Sequence, residues 1–317
     1  MSVVASLDAR WGRAYFAAQA LAGISWWVSV AVSPAMRMLT LGELPVGLTA
    51  VFDIPLFVAA SALAACGIRL AAYIATGWTV LVAAAMAVYA TATSMAGWGA
   101  LLMIGAGACS VGALLLVRMG RLPSEWLIIG VFAPREAAPA RARTHLLRTG
   151  GQIVVFWGAC LVVIPIVIVF VEGRWGLRLH VPLAVPVVGA IALLAATGLG
   201  LWSAVTMAGR GDGTPLPSST ARALVVSGPY RYVRNPMAVA GIAQGAAIGM
   251  LCGSWLVVVY ALCGSLVWNH LIRPWEEKDL LARFGAPYQA YCERVSCWLP
   301  RRPRRPASGS TREPLVY

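Results

Sequence analysis

The residues best suited to chemistry lie between positions 207 and 300, in two polar segments. The first reads Leu224-Val-Val-Ser-Gly-Pro-Tyr-Arg-Tyr-Val-Arg-Asn-Pro-Met237. A residue before proline avoids the helical region, proline is favoured at the first helical position, and asparagine is a good cap. A helix is therefore predicted to start at Asn235-Pro236. Its free N–H groups would face a loop rich in Arg and Tyr, and such an end can bind a carboxylate or a phosphate. A capped helix end with nothing bound accounts for the same residues. The second segment reads Arg273-Pro-Trp-Glu-Glu-Lys-Asp-Leu-Leu-Ala-Arg-Phe-Gly-Ala-Pro-Tyr-Gln-Ala-Tyr291. Pro274 is expected to open a helix, with Glu276 and Glu277 in its first turn, where carboxylates complement the helix dipole. Opposite the cationic loop, one of them could instead hold an ammonium group by a charge-assisted hydrogen bond. Gly285 fits the end of that helix and Pro287 the start of another. Leu280, Leu281, Phe284, Tyr288, Tyr291 and Val295 form an apolar stripe at helical spacing, suited to a membrane interface or a helix bundle.

Other residues carry less. The glycines of 209–213 follow an apolar helix rather than a strand, so they read as an exit loop and not as a dinucleotide fingerprint. His270 is the histidine nearest the motifs and a candidate base, although a lone histidine near a span end is also an ordinary packing residue. Cys292 and Cys297 lack two further nearby ligands for zinc. The other five cysteines sit in apolar runs as small hydrophobes, and no disulfide framework is expected. Asp53 and Arg69 lie close to expected span ends, from which they can reach the interface.

The elements that must position these residues are membrane helices. Of 317 residues, 60% are hydrophobic and only 12% charged, against about 25% charged in a soluble chain. Mean hydropathy is +0.76. An all-α, polytopic transmembrane bundle of about eight spans is predicted, over 11–33, 51–71, 73–95, 98–117, 152–171, 182–206, 236–252 and 254–272, each near the ~20 residues that cross a bilayer. The last two, parted by Gly253, read as a tight hairpin. The net charge is +13, and Lys278 is the only lysine. Arginines gather in 118–150, 207–234 and the tail, which eight spans put on one side with both termini, the cytoplasmic side. No nucleic-acid motif accompanies that charge, so no nucleic-acid partner is expected. The expected organisation is an N-terminal four-span domain (1–120), a cytoplasmic linker (121–150), a four-span domain bearing the motifs (151–300) and a basic tail (301–317).

Taken in order, Leu-Val-x-Ser-Gly-Pro-Tyr-Arg-Tyr-Val-Arg-Asn-Pro-Met, a hairpin, Glu-Glu-x-x-Leu, Phe-Gly-x-x-Tyr-x-x-Tyr and Leu-Pro resemble the isoprenylcysteine carboxyl methyltransferase family. That family in turn is similar to the membrane phospholipid N-methyltransferases. The resemblance covers about 145–300 and is strongest over 213–300. It implies an integral-membrane, multi-pass enzyme that binds S-adenosylmethionine at its cytoplasmic face and needs no metal. A lipophilic or lipidated small acceptor would arrive from the bilayer, for carboxyl O-methylation of an isoprenylcysteine-like substrate or methylation of a lipid. Carried over by position, the cofactor pocket would use Arg222, Ala223, Leu224, Val225, Tyr230, Asn235, Pro236, Met237, Ala238 and Glu276. Glu276 would hold the amino group, so that the helix start and the acid grip opposite ends of a zwitterion. Arg273 would orient an anionic acceptor and, with Glu276, is the expected catalytic pair.

Three positions depart from the family pattern. Asn235 stands where His is frequent, and Ala238 where Tyr is usual, which removes a ring and a hydroxyl from the pocket. Ile272 replaces an Arg associated with the acceptor carboxylate, and Arg273 lies one residue along, about 100° around a helix. Two alternatives follow: a sterol-type reductase binding NADPH through Arg222, Arg231 and Arg234, and a non-catalytic scaffold whose residues 1–120 bind a protein partner.

Overall fold

The computed structural model describes residues 6–127, 150–151, 153–211 and 222–300. Most of the expected linker, the loop residues 212–221 and the basic tail lie outside them. Among the described residues all regular structure is helical. The chain forms two compact units, one of Met1–Pro123 with Phe170–Arg178, the other of Ser124–Val169 with Leu179–Tyr317.

The first unit contains α1 (Ala9–Val32), α2 (Pro34–Thr40), α3 (Val46–Asp53), α4 (Ala60–Ala65), α5 (Arg69–Thr93) and α6 (Gly97–Met119). A π-turn, Ile54–Ala59, joins α3 to α4, so that Val46–Ala65 is one span. Pro55 causes it, because its ring cannot donate and crowds the preceding turn, and a wider turn absorbs both defects. This unit is packed inside out relative to a soluble protein. Ala60, Ala64, Ala71, Ala72, Ala75 and Ala113 pack with Phe16 in its core, while Leu21, Val32, Leu81 and Val88 point outward. Lipid tails are as apolar as leucine, so small side chains that let backbones approach are what hold such helices together. Gly99 of α6, for example, lies directly against the Thr40 carbonyl.

Buried polar side chains tie these helices further. Gln19 Nε2 donates to Ser61 Oγ (3.0 Å) and Thr79 Oγ1 (3.4 Å), and Ser110 Oγ donates to Gln19 Oε1 (2.7 Å). Asp53 does not sit near a span end as expected. Helix α3 starts at Val46, which carries Asp53 well inside the span, where it is buried and accepts from the indoles of Trp27 (2.9 Å) and Trp78 (3.0 Å). The two indoles replace the water that the interface would have supplied.

A π-helix, Ile153–Val163, leads into α7 (Ile164–Arg174), whose end from Phe170 belongs to the first unit. The second unit continues with α8 (Ala184–Arg210), α9 (Pro236–Leu251), α10 (Trp255–Val267) and α11 (Arg273–Arg294). Among the described residues seven helices are long and apolar enough to cross a membrane, where eight spans were expected. The difference is α9. Its 16 residues reach only about 24 Å, short of a ~30 Å hydrocarbon core. It packs on α8 and α10 across close glycine contacts, Gly189 against Ala247 and Leu251, Gly249 against Ser254 and Val258.

The helix expected to open at Pro274 does not open there. The helix that starts at Trp255 runs on through Pro274 without a break as far as Gly285. A π-turn at Trp268–Ile272 lets the Arg273 N–H bond the Trp268 carbonyl, and Pro274 follows without a break. Its apolar part ends near Ile272, and the charged residues of α11 lie beyond that spanning part. The expected stop does occur at Gly285, whose φ of +52° kinks α11 in a conformation that glycine tolerates, with Pro287 just after it. The apolar stripe holds for Leu280, Phe284, Tyr288, Tyr291 and Val295, which pack together. Leu281 is off it and exposed, one residue around the helix from Leu280.

Candidate functional site

A cavity of about 320 Å³ opens within the second unit, a size that takes a small molecule. Its polar end is built from the loop 222–235, the start of α9 and the inner face of α11. The loop re-enters at the end of α8, where Gly211 O accepts from the N–H groups of Arg222 (2.7 Å) and Ala223 (3.2 Å). It then turns at Gly228, φ +57°, against the Thr206 hydroxyl, where no side chain would fit. The turn sends Tyr230 inward, where it is buried.

Two bonds latch this loop to the C-terminal segment. Tyr291 OH donates to Tyr230 O (2.7 Å), and Arg234 N–H donates to Ser296 O (3.0 Å). Tyr291→Phe removes the first of them at a cost of about 1 kcal/mol. Amide hydrogen exchange over 228–235 is expected to quicken about fivefold in that variant, and unchanged exchange would refute the latch.

Helix α9 starts at Pro236, with Asn235 in the cap position, as the sequence leads one to expect. The Asn235 side chain does not cap it, however. Its Nδ2 donates to Cys297 Sγ (3.2 Å), a partner some sixty residues away that local spacing cannot reveal. The first-turn amides of Met237 and Ala238 thus receive no side-chain cap, and both residues line the cavity.

The two glutamates have separate fates. Glu277 accepts from Arg273 Nη1 (3.0 Å) and pairs with Arg234 Nη1 (3.3 Å). Glu276 faces the cavity and has no hydrogen-bond or ion-pair partner among the described residues. Burial first, and then the charges of Glu277 and Asp279, push its carboxyl up to about 8. Burial, then Tyr291 and Glu276, also raise the Tyr230 phenol well above its ordinary range, so it stays a neutral donor. Its buried hydroxyl has no hydrogen-bond partner among the described residues.

The structure brings Ala223, Leu224, Val225, Tyr230, Asn235, Pro236, Met237, Ala238 and Glu276 to this one cavity. Arg222 is exposed and does not line the cavity; its N–H bonds the Gly211 carbonyl. Arg273 does not line the cavity; it is held by Glu277 and also donates to Cys297 Sγ (3.4 Å). His270 lies against Asn269 (3.3 Å) and does not line it either. Sequence reasoning gave Arg234 only to the NADPH alternative and did not include it in the S-adenosylmethionine pocket, whose wall it forms. The signal was present, since Arg234 directly precedes Asn235 in the same motif. It also missed Trp157 and Trp268, which line the apolar end and carry no motif signal.

Residues 185–286 match the family described as phospholipid methyltransferase. The matched stretch runs from the start of α8 through the cavity to the kink of α11, and it marks this part of the chain as methyltransferase-related in an integral-membrane setting. No curated protein and no solved structure matches the chain.

Proposed function

We propose that this chain is a membrane methyltransferase that draws its methyl group from S-adenosylmethionine, at a site facing the cytoplasm, and delivers it to a lipophilic acceptor. One observation carries the reading: a carboxylate with no partner among the described residues and a helix start without a side-chain cap share one cavity. Those two features match the two ends of an amino acid. Glu276 would hold the ammonium, while the first-turn amides of α9 and Arg234 would face the carboxylate. Tyr230 offers a neutral hydroxyl, and Leu224, Leu280 and Phe284 offer apolar walls for a flat ring. When bound, S-adenosylmethionine supplies a methyl on a cationic sulfur, already activated for displacement.

The protein's own task is to hold, orient and keep water out. Arg273 would serve this indirectly: with Glu277 it fixes Arg234 against the wall. An amine or hydroxyl acceptor would need a base, and His270 does not line the cavity. A carboxylate acceptor needs none. The arginine-rich loops support a cytoplasmic face for the site.

Calorimetric titration of the detergent-purified protein with S-adenosylmethionine and with NADPH tests the reading. Binding of S-adenosylmethionine alone is expected. NADPH alone would overturn it in favour of a reductase. Binding of neither would overturn it in favour of a scaffold, with residues 1–120 as the partner surface.

A further inference from the structure

Two of the seven cysteines differ from the rest in their surroundings. Five fall in apolar runs. Cys292 and Cys297 lie at and just beyond the end of α11, both half-buried, among N–H donors. Arg234 Nη1 donates to Cys292 Sγ (2.7 Å). Asn235 Nδ2 and Arg273 Nη1 donate to Cys297 Sγ (3.2 and 3.4 Å). The two guanidinium groups meet on one atom, Glu277 Oε1 (3.3 and 3.0 Å), so both thiols belong to one network. Both also lie within electrostatic reach of Arg234. Thiols in electropositive, partly exposed surroundings are the reactive ones, whereas those buried among apolar groups are inert.

The backbone does not hold this pair apart. Five positions along one helix would fix two side chains about 140° from each other. Helix α11 ends at Arg294, however, and Val295 is extended, so Cys297 is released from that spacing. Between them Ser296 O accepts from the Arg234 N–H (3.0 Å), which holds this turn against the cavity loop.

The same bonds tie the thiols to the site. Arg234 and Asn235 both line the cavity, and each donates to one of the two sulfurs. While Cys297 holds Asn235, the first turn of α9 has no side-chain cap, and its amides stay available to a ligand carboxylate. Asparagine is among the best N-caps. Once released, it would take those amides for itself.

We propose that Cys292 and Cys297 are a redox pair that closes into a disulfide, releasing Asn235 to cap α9 and block that end of the cavity. One S–S bond forms and the O–O bond of a peroxide breaks. The two thiols give up two electrons and two protons, and hydrogen peroxide leaves as two waters. In a cytosolic setting such a bond is transient and redox-sensing rather than structural. Its consequence for the cofactor rests on the methyltransferase reading above, but the bond and the cap do not.

Full-length protein in detergent, first reduced and then treated with hydrogen peroxide, provides the test. Peptide mass mapping is expected to find Cys292 joined to Cys297, in a link that dithiothreitol reverses. Amide exchange at Met237 and Ala238 is expected to slow about fivefold as the cap forms, and S-adenosylmethionine affinity to fall about fivefold. Cys292→Ser, which keeps Cys160 on the cavity wall and every other cysteine, is expected to lose all three responses. Two free thiols after peroxide, a link to any other cysteine, a link with unchanged exchange, or a response that persists in Cys292→Ser overturns the proposal. If the variant does not fold, the wild-type mass map and exchange decide. Linkage and slowed exchange in a protein that binds no S-adenosylmethionine would sink the methyltransferase reading alone. Cofactor binding without linkage would sink this one alone.

Discussion

Glu276→Gln is expected to weaken S-adenosylmethionine binding by about a hundredfold or more. The substitution keeps size and one hydrogen-bonding oxygen and removes the charge. Taking away one partner of a buried, hydrogen-bonded charge pair costs about 2–5 kcal/mol, a factor of about 30 to several thousand. Glu276 has no other ion-pair partner among the described residues, so nothing in the fold compensates for its loss. The pH dependence has a definite sign. Its carboxyl is pushed up to about 8, so at pH 7 it is mostly protonated. Holding an ammonium requires the carboxylate, and binding must then release about one proton near neutrality. Affinity should rise about tenfold per pH unit between 6 and 7 and level off near 8. Above that, the ligand's own α-amino group, with an ordinary pKa of about 7.7–8.0, loses its charge and affinity falls again. Calorimetry in buffers of different ionisation enthalpy reads the proton directly. A flat profile in the wild type, or an unchanged profile in Glu276→Gln, would remove Glu276 from this role.

The second large effect concerns folding. Gly99→Ala is expected to destabilise the first unit by about 3 kcal/mol, the upper end of the usual cost of overpacking. An added Cβ at Gly99 meets the backbone carbonyl of Thr40, which cannot swing aside as a side chain would. Gly105→Ala, in the same helix α6, meets nothing within 4 Å and should be neutral or gain up to about 1 kcal/mol from helix propensity. Thermal unfolding of the two variants in the same detergent separates a packing effect from a general intolerance of alanine. Equal melting temperatures would refute the close contact.

The contrast between what sequence revealed and what it hid follows from the range of each interaction. Hydropathy and proline chemistry act over a few residues, and they located the spans, the start of α9 and the stop at Gly285. The shared order of motifs brought most of the cavity's polar end together, from Ala223 to Glu276. Pairings across the fold are different. Arg234 reaches Cys292 and Glu277, and Asn235 reaches Cys297, at separations where spacing carries no information. These pairings decide which glutamate stays available to a ligand and which arginine forms the wall. Arg273 was expected to orient an acceptor, but the helix continues through Pro274 and Glu277, one turn on, takes its guanidinium. A π-turn leaves no composition signature, since one extra residue in a helical turn looks like any other.

The buried cluster around Gln19 sets a timetable for the nascent chain. Its partners arrive in order, Ser61, Thr79 and then Ser110, the last of them 91 residues downstream. At about 5–20 residues per second, the ribosome takes on the order of ten seconds to supply that final partner. For that interval α1 is complete while its glutamine lacks the hydroxyl that will donate to it.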